Sequence, residues 1–294
     1  MNNRWNVKRP SGRIAYVDGR YVRHGIAAVH IEDRGLQLGD AVYEVCRISG
    51  GRLLDETEHL ERLERSLGEI EMAMPMSREA LRRVMAETVR RNGVRDGFLY
   101  LQVTRGALRR DHAIPKKPPR PTLILTVRPL DKTALARRRA EGISVLSRPD
   151  ERWGRCDIKT TQLLPNLLAK TAAQRAGAFE AWMIDPEGFV TEGASTTAWI
   201  VDDRGRVITR DLSHAILPGV TRRVILEAAA GAQIPVVQRR FTLEEARGAR
   251  EAFLSSAGGG AIAVVSIDGN PVGEGVPGPL TRRIIELYEK RSQE

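Results

Sequence analysis

A chain of 294 residues can bury one large core or two medium ones, and its 41% hydrophobic and 29% charged residues exclude a disordered or fibrous protein. The net charge of +10 is spread rather than clustered, with "ARRRAEG" around Arg137–Arg139 the densest point, and no interleaved aromatics or base-reading motif point to nucleic acid. The N-terminal "MNNRWNVKRPSGR" lacks an apolar leader core, no run is long enough to span a membrane, and Cys46 and Cys156 form neither a disulfide framework nor a metal set. The expectation is a cytoplasmic, metal-free globular protein.

The chain opens with hairpin chemistry. "RIAYVDGRYV" sets Asp18–Gly19 between two β-prone runs, and "AVYEVCRISGGRLL" does the same with Gly50–Gly51. Two amphipathic helices are expected near 57–72 and 77–92. The first keeps Leu60, Leu63, Leu67 and Ile70 on one stripe, and Ser77 caps the second. "GFLYLQVTRG" and "PTLILTVRP" read as strands around the loop "ALRRDHAIPKKPPR". This order describes a smaller α+β domain over 1–128, followed by a linker at 129–135 that contains Pro129.

A larger domain, 136–294, begins with a strand at 142–148 and the segment around Lys159, read as short strand. An Ala/Leu-rich helix near 163–177 and the hairpin "EAWMIDPEGFVTEG" follow. A helix from about Pro218 to Gly231, a capping box in "TLEE" at 242–245, the strands "EAFLSS" and "AIAVVSIDGNPV", and a helix near 278–291 complete it. There is no internal repeat.

Only seven of the 47 basic residues are lysine, and Lys159 is the one set beside Ile158, just ahead of the apolar pair Leu163–Leu164. A lone strand-end lysine commonly extends its ammonium to water. Imine chemistry, however, requires an amine, and arginine cannot supply one because it stays protonated. In "FVTEGASTTAWIV", Glu192 ends one β-run and small hydroxyl residues follow. Its carboxylate reads either as a hairpin-tip charge or as the partner of a heterocyclic nitrogen. In "ILPGVTRRVILEAA", Pro218 and Gly219 lead into a helix whose open N–H groups suit an anion such as phosphate.

The order and spacing of "DERWGRCDIKTTQLLPNLLAK", "VTEGASTTAWIV" and "ILPGVTRRVILEAA" resemble the fold-type IV pyridoxal-phosphate enzymes. These include branched-chain aminotransferases, D-amino acid aminotransferases and aminodeoxychorismate lyase. "EDRGLQLGDAVYEVCRISGGRLL" and "HLERL" extend the resemblance to roughly residues 14–290. It implies a two-domain fold, the larger domain with a mixed, barrel-like β core flanked by helices. It also implies that Lys159 forms the internal aldimine with pyridoxal phosphate and then shuttles the substrate Cα proton. Glu192 matches the carboxylate that keeps the pyridine nitrogen protonated, and Arg62 matches the phosphate-binding arginine. Ser195, Thr196, Val220 and Thr221 match further phosphate contacts. In "FLSSAGGG", Ser256 is followed by Ala257 where the family usually has threonine, so a backbone N–H remains but a hydroxyl is lost.

The loop "QVTRGALRRDHAIP" selects among family members. Its Arg110 and His112, with Tyr43 of "GDAVYEV", match the residues with which D-amino acid aminotransferases trap the substrate α-carboxylate. Arg109 is the alternative guanidinium. In the family this loop comes from the neighbouring subunit, so the resemblance implies a homodimer with its active site at the interface. The expected activity is amino transfer between D-amino acids, such as D-alanine or D-glutamate, and 2-oxo acids such as 2-oxoglutarate or pyruvate. The alternatives are a branched-chain L-amino acid aminotransferase, an (R)-amine transaminase, a lyase of the same fold, or a cofactor-free basic protein that binds nucleic acid or a protein partner.

Overall fold

The structure, a computed structural model, describes residues 12–114 and 116–291. Met1–Ser11, which hold most of the N-terminal stretch read for a leader, lie outside the described residues, as do Pro115 and Ser292–Glu294. The chain forms two compact units. One ends at Leu130 and takes in Lys159–Gln162; the other holds Asp131–Ile158 and the chain from Leu163 onward.

In the first unit, Asp18 and Gly19 take φ values of 42° and 89°, the left-handed conformations of a tight hairpin turn between β1 (Ile14–Val17) and β2 (Arg20–Arg23). A short helix α1 (Arg34–Leu38) follows, capped by Asp33, whose carboxylate accepts from the Gly35 and Leu36 N–H groups. Then come β3 (Ala41–Ser49), β4 (Arg52–Leu53), α2 (Glu56–Glu69), α3 (Arg78–Asn92), β5 (Gly97–Thr104) and β6 (Thr122–Pro129). The strands form an antiparallel sheet in the order β2-β1-β6-β5-β3-β4. Leu99, Leu101 and Val103 alternate on one face with Leu123, Leu125 and Val127. The buried stripes of α2 (Leu60, Leu63, Leu67) and α3 (Leu81, Met85, Val89) complete this core. Glu44 sits opposite Leu101 in register, whereas Tyr43 belongs to the other face and stacks on Tyr100 at 5.6 Å.

The second unit begins with α4 (Lys132–Glu141), β7 (Ile143–Pro149), α5 (Leu164–Arg175), β8 (Glu180–Ile184) and β9 (Val190–Gly193). It continues with β10 (Thr197–Val201), β11 (Val207–Thr209), α6 (Val220–Gly231), β12 (Val236–Gln238) and α7 (Leu243–Arg247). It ends with β13 (Glu251–Ser256), β14 (Gly260–Ile267), β15 (Asn270–Pro271) and α8 (Pro279–Arg291). Its mixed sheet runs β12-β11-β10-β13-β14-β7-β8-β9, with β15 on β14. This is the mixed β core expected for the larger domain. All five residues of β10 are buried, which is why its sequence reads as a continuous run rather than an alternation. Trp199 stacks on Phe253 at 5.3 Å, and Val224 and Ile225 of α6 pack with Ile284 and Tyr288 of α8 in the same core.

Two expectations need correction. Residues 132–135, read as linker, form the first turn of α4, because Asp131 caps it by accepting from the Ala134 N–H and Leu135 is buried. The Lys159 segment is not a strand and does not cluster with the second unit. Thr160 makes a single bridge to Val42, and backbone bonds from Tyr43 N–H to the Lys159 carbonyl (3.0 Å) and from Thr161 N–H to the Ala41 carbonyl (3.1 Å) tie it to β3.

Candidate active site

In the first unit the structure brings Lys159 and Tyr43 together. The Lys159 N–H donates to Ser66 Oγ at 3.4 Å, and its half-buried ammonium lies 4.2 Å from the centre of the Tyr43 ring. A cation over an aromatic face is held by the ring quadrupole, which aims the amine without tying it to an anion. Behind Tyr43, burial together with the Tyr43 phenol pushes the Tyr100 hydroxyl up to about 12.

Arg62 is buried on α2 and forms a two-pronged pair with Glu44, Nε to Oε1 at 2.8 Å and Nη2 to Oε2 at 2.7 Å. His59 Nδ1 lies 2.7 Å from Glu44 Oε2. Burial alone would raise the Glu44 carboxyl, but the Arg62 charge and the hydrogen bonds from Arg62 and His59 outweigh it and hold the group at about 2. Arg109, Arg110 and His112 are all exposed.

In the second unit, Glu192 is buried at the end of β9. Its carboxylate accepts from Arg152 Nη1 and faces the Leu217 N–H at 3.3 Å from each oxygen. Arg152 also grips Asp150 through Nε (2.9 Å) and Nη2 (2.7 Å), and donates to the Ala215 carbonyl at 3.0 Å. Thr191 donates to Asp150 at 2.7 Å. Burial opposes the Arg152 charge, yet Asp150 and Glu192 raise its pKa further. Sequence reasoning missed Arg152. Its only local signal is the spacing of Asp150 and Arg152 ahead of "GRCDIK", which does not name Glu192 as a partner.

The Ser195 hydroxyl turns to Glu180 Oε2 at 2.7 Å, on a carboxylate that is fully buried and also pairs with Lys170 at 3.1 Å. Thr196 differs: its Oγ1 is buried and has no hydrogen-bond partner among the described residues. A Cβ on Gly193 would come within 2.0 Å of that oxygen, so glycine keeps the turn closed over it. Helix α6 starts at buried Val220 and Thr221 with Gly219 as N-cap and no side-chain cap bond, and a Cβ there would meet Thr197 Oγ1 at 3.2 Å. Ser256 Oγ accepts from the Gly259 N–H at 3.2 Å, and Ala257 begins the same turn. A buried hydroxyl without a described partner and a helix N-terminus without a side-chain cap are features that fit a phosphate group.

Residues 41–267 match the family described as amino-transferase class IV. A D-alanine aminotransferase of Bacillus licheniformis is 38% identical over 267 residues, 91% of this chain and 93% of that protein. Among solved structures, the branched-chain aminotransferase of Thermoproteus uzoniensis with norvaline is 27% identical at a TM-score of 0.84, covering 95% of this chain and 94% of that one. A T.th. branched-chain amino acid aminotransferase with pyridoxamine 5′-phosphate is 25% identical at a TM-score of 0.83, covering 95% and 93%. Matches of this length span both units, and the chain belongs to the class IV aminotransferases.

Proposed function

We propose that this protein is a D-amino acid transaminase. It would move the amino group of D-alanine, D-glutamate or similar substrates to 2-oxo acids such as 2-oxoglutarate or pyruvate, with pyridoxal phosphate as cofactor. The observation that carries the reading is the pairing of Lys159 with Tyr43: a backbone hydrogen bond and a ring contact set the amine beside the tyrosine that we assign to the substrate carboxylate. The D-alanine aminotransferase from B. licheniformis supports the handedness.

Bound pyridoxal phosphate supplies an electron-withdrawing ring that delocalises the electron pair left when Cα loses its proton. Lys159 Nζ is the group that removes that proton and returns it. Glu192 is assigned to the ring nitrogen, with Arg152 and the Leu217 N–H fixing the plane of its carboxylate. Thr196 Oγ1, the N–H groups of Val220 and Thr221, and the Ser256–Ala257 turn are assigned to the phosphate, with Arg62 as its guanidinium. Ser195, its hydroxyl engaged by Glu180, contributes through the backbone. Tyr43, Arg110 and His112 hold the substrate α-carboxylate.

We also propose a cytoplasmic homodimer. Leu164, Leu167 and Leu168 stand exposed at helical spacing on α5, at 66%, 59% and 59%, an apolar row that a second copy would cover. The exposed Arg110–His112 loop suits a residue pair that serves the partner's site.

The branched-chain L-amino acid reading rests on the solved neighbours at 25–27% identity. One experiment separates the two. The holoenzyme is mixed with single amino acids and no acceptor, and its visible absorbance is followed. D-alanine should bleach it and release pyruvate; rapid bleaching by L-leucine with none by D-alanine would overturn the reading.

A further inference from the structure

Arg34, in the segment "EDRGLQLGD", and Arg105, at the end of "LQVTR", are two buried charges that the proposed chemistry leaves unused. Arg34 is 3% exposed and Arg105 is 2% exposed. Both donate through Nε to the same oxygen, Asp40 Oδ2, each at 2.7 Å. Burial would raise the Asp40 carboxyl, but Arg105 and Arg34 together lower it. Two buried guanidinium groups on one carboxylate are a poor way to gain stability, because desolvation of the second cation is only partly offset. Their other N–H groups show what the arrangement does. Arg105 donates to the carbonyls of Ile70 (2.6 Å) and Glu71 (3.1 Å), and Arg34 Nη1 donates to the carbonyl of Asp111 at 2.7 Å.

Asp111 lies between Arg110 and His112. The backbone leading to it is already zipped to the α1 segment: Arg34 N–H to the Gly106 carbonyl at 2.9 Å, Leu108 N–H to the Glu32 carbonyl at 3.2 Å, and Arg105 N–H to the Asp40 carbonyl at 3.1 Å. Thr104 Oγ1 adds a bond to Asp33 Oδ2 at 2.7 Å. Past Leu108, residues 109–112 are exposed, and the Arg34 bond ties this stretch back to the buried body.

We propose that Arg34, Asp40 and Arg105 form a buried clasp that sets the position of the Arg110–His112 loop, making Arg34 a positioning residue for recognition of the substrate carboxylate. This rests on the reading of that loop as the carboxylate trap. Arg34 touches neither substrate nor cofactor; it fixes the peptide from which both recognition side chains spring. Misplacement of such groups by about 1 Å is enough to weaken their action strongly.

The test uses the holoenzyme with Arg34→Gln, Arg34→Lys and Arg110→Ala. Lysine keeps the charge beside Asp40, but one ammonium cannot bridge Asp40 and the Asp111 carbonyl as a guanidinium does, so it carries the same test if the glutamine variant loses its melting transition. In both Arg34 variants, trypsin should cut after Arg109 or Arg110 faster than in wild type. KM for D-alanine should rise about ten-fold with kcat changed far less. KM for a carboxylate-free (R)-amine and the cofactor's visible spectrum should stay as in wild type. Unchanged cleavage and unchanged KM would overturn the clasp. So would a KM that rises in Arg110→Ala and not in the Arg34 variants. If Arg110→Ala also leaves KM for D-alanine unchanged while the Arg34 variants are cut faster, the clasp holds the loop, and the carboxylate-trap reading is what fails.

Discussion

Arg152 donates to Oε1 of Glu192 while the same guanidinium is held by Asp150 and by the Ala215 carbonyl. The carboxylate assigned to the pyridine nitrogen is therefore not a free hairpin-tip charge. It is an ion in a nearly closed network, with 6% of the Arg152 side chain and 10% of the Glu192 side chain exposed. Such a network fixes the plane of the Glu192 carboxylate before any ligand arrives.

Arg152→Gln should slow the half-reaction by about ten- to a hundred-fold, the worth of one charge-assisted hydrogen bond at about 1.5–3 kcal/mol. Glu192→Gln should slow it more, because an amide cannot hold a proton on the ring nitrogen. Single-turnover absorbance traces check both. Near wild-type rates in Glu192→Gln would return Glu192 to a structural role.

Lys159→Ala should abolish turnover yet still bind cofactor through the phosphate contacts. Borohydride treatment of the wild-type holoenzyme should fix the cofactor on Lys159. Lys170 is a poor competitor, since its ammonium is committed to Glu180 at 3.1 Å and to the Phe179 carbonyl. Peptide mapping of the adduct to Lys170 would sink the assignment.

Thr196→Val should separate the cofactor-free from the loaded protein. The hydroxyl has no described partner, so its loss should leave the melting temperature of the cofactor-free protein unchanged or raised. Cofactor affinity should fall by about two- to ten-fold, from a neutral hydrogen bond worth about 0.5–1.5 kcal/mol. A lower melting temperature without cofactor would show that the hydroxyl serves the fold itself.

Glu44 should make the first unit acid-sensitive. Its carboxyl is held at about 2 against an ordinary value of 4.5, so ionised Glu44 stabilises the fold. That contribution is fully present above pH 4.5 and is lost as the pH falls toward 2. Glu44→Gln leaves the buried Arg62 without its counter-charge and should cost about 3–5 kcal/mol at neutral pH. Urea unfolding at pH 7 and pH 3 measures both effects, and the gap between wild type and variant should narrow at the lower pH.

Handedness is the sharpest test of the proposed substrate. D-alanine and D-glutamate should react far faster than their L-forms, and Arg110→Ala should raise KM for the D-amino acids by about ten- to a hundred-fold. The loss should be smaller for a carboxylate-free (R)-amine. An unchanged KM in Arg110→Ala would shift the carboxylate role to Arg109 or away from the loop.

Local chemistry made much of this protein legible in one dimension. The Asp18–Gly19 turn, the Ser77 cap and the Thr242–Glu245 capping box all form where the residue types place them, because each depends on neighbours within a few positions. Lys159 and Glu192 stood out for a similar reason: an amine and a carboxylate are chemically irreplaceable in the roles their surroundings resemble. Tertiary structure decided what those residues touch. Ser195 looked like an open phosphate donor until the fold set it on Glu180, 15 positions away. Arg152 found Glu192 across 40 positions, and the Lys159 N–H found Ser66 across 93. Residues 132–135 of the expected 129–135 linker became the first turn of a helix, capped by Asp131 and with Leu135 buried, a reward invisible in a stretch of mixed polarity. Side-chain type declares which bonds are possible; only the packed sheet, by fixing which groups are buried together, selects among them.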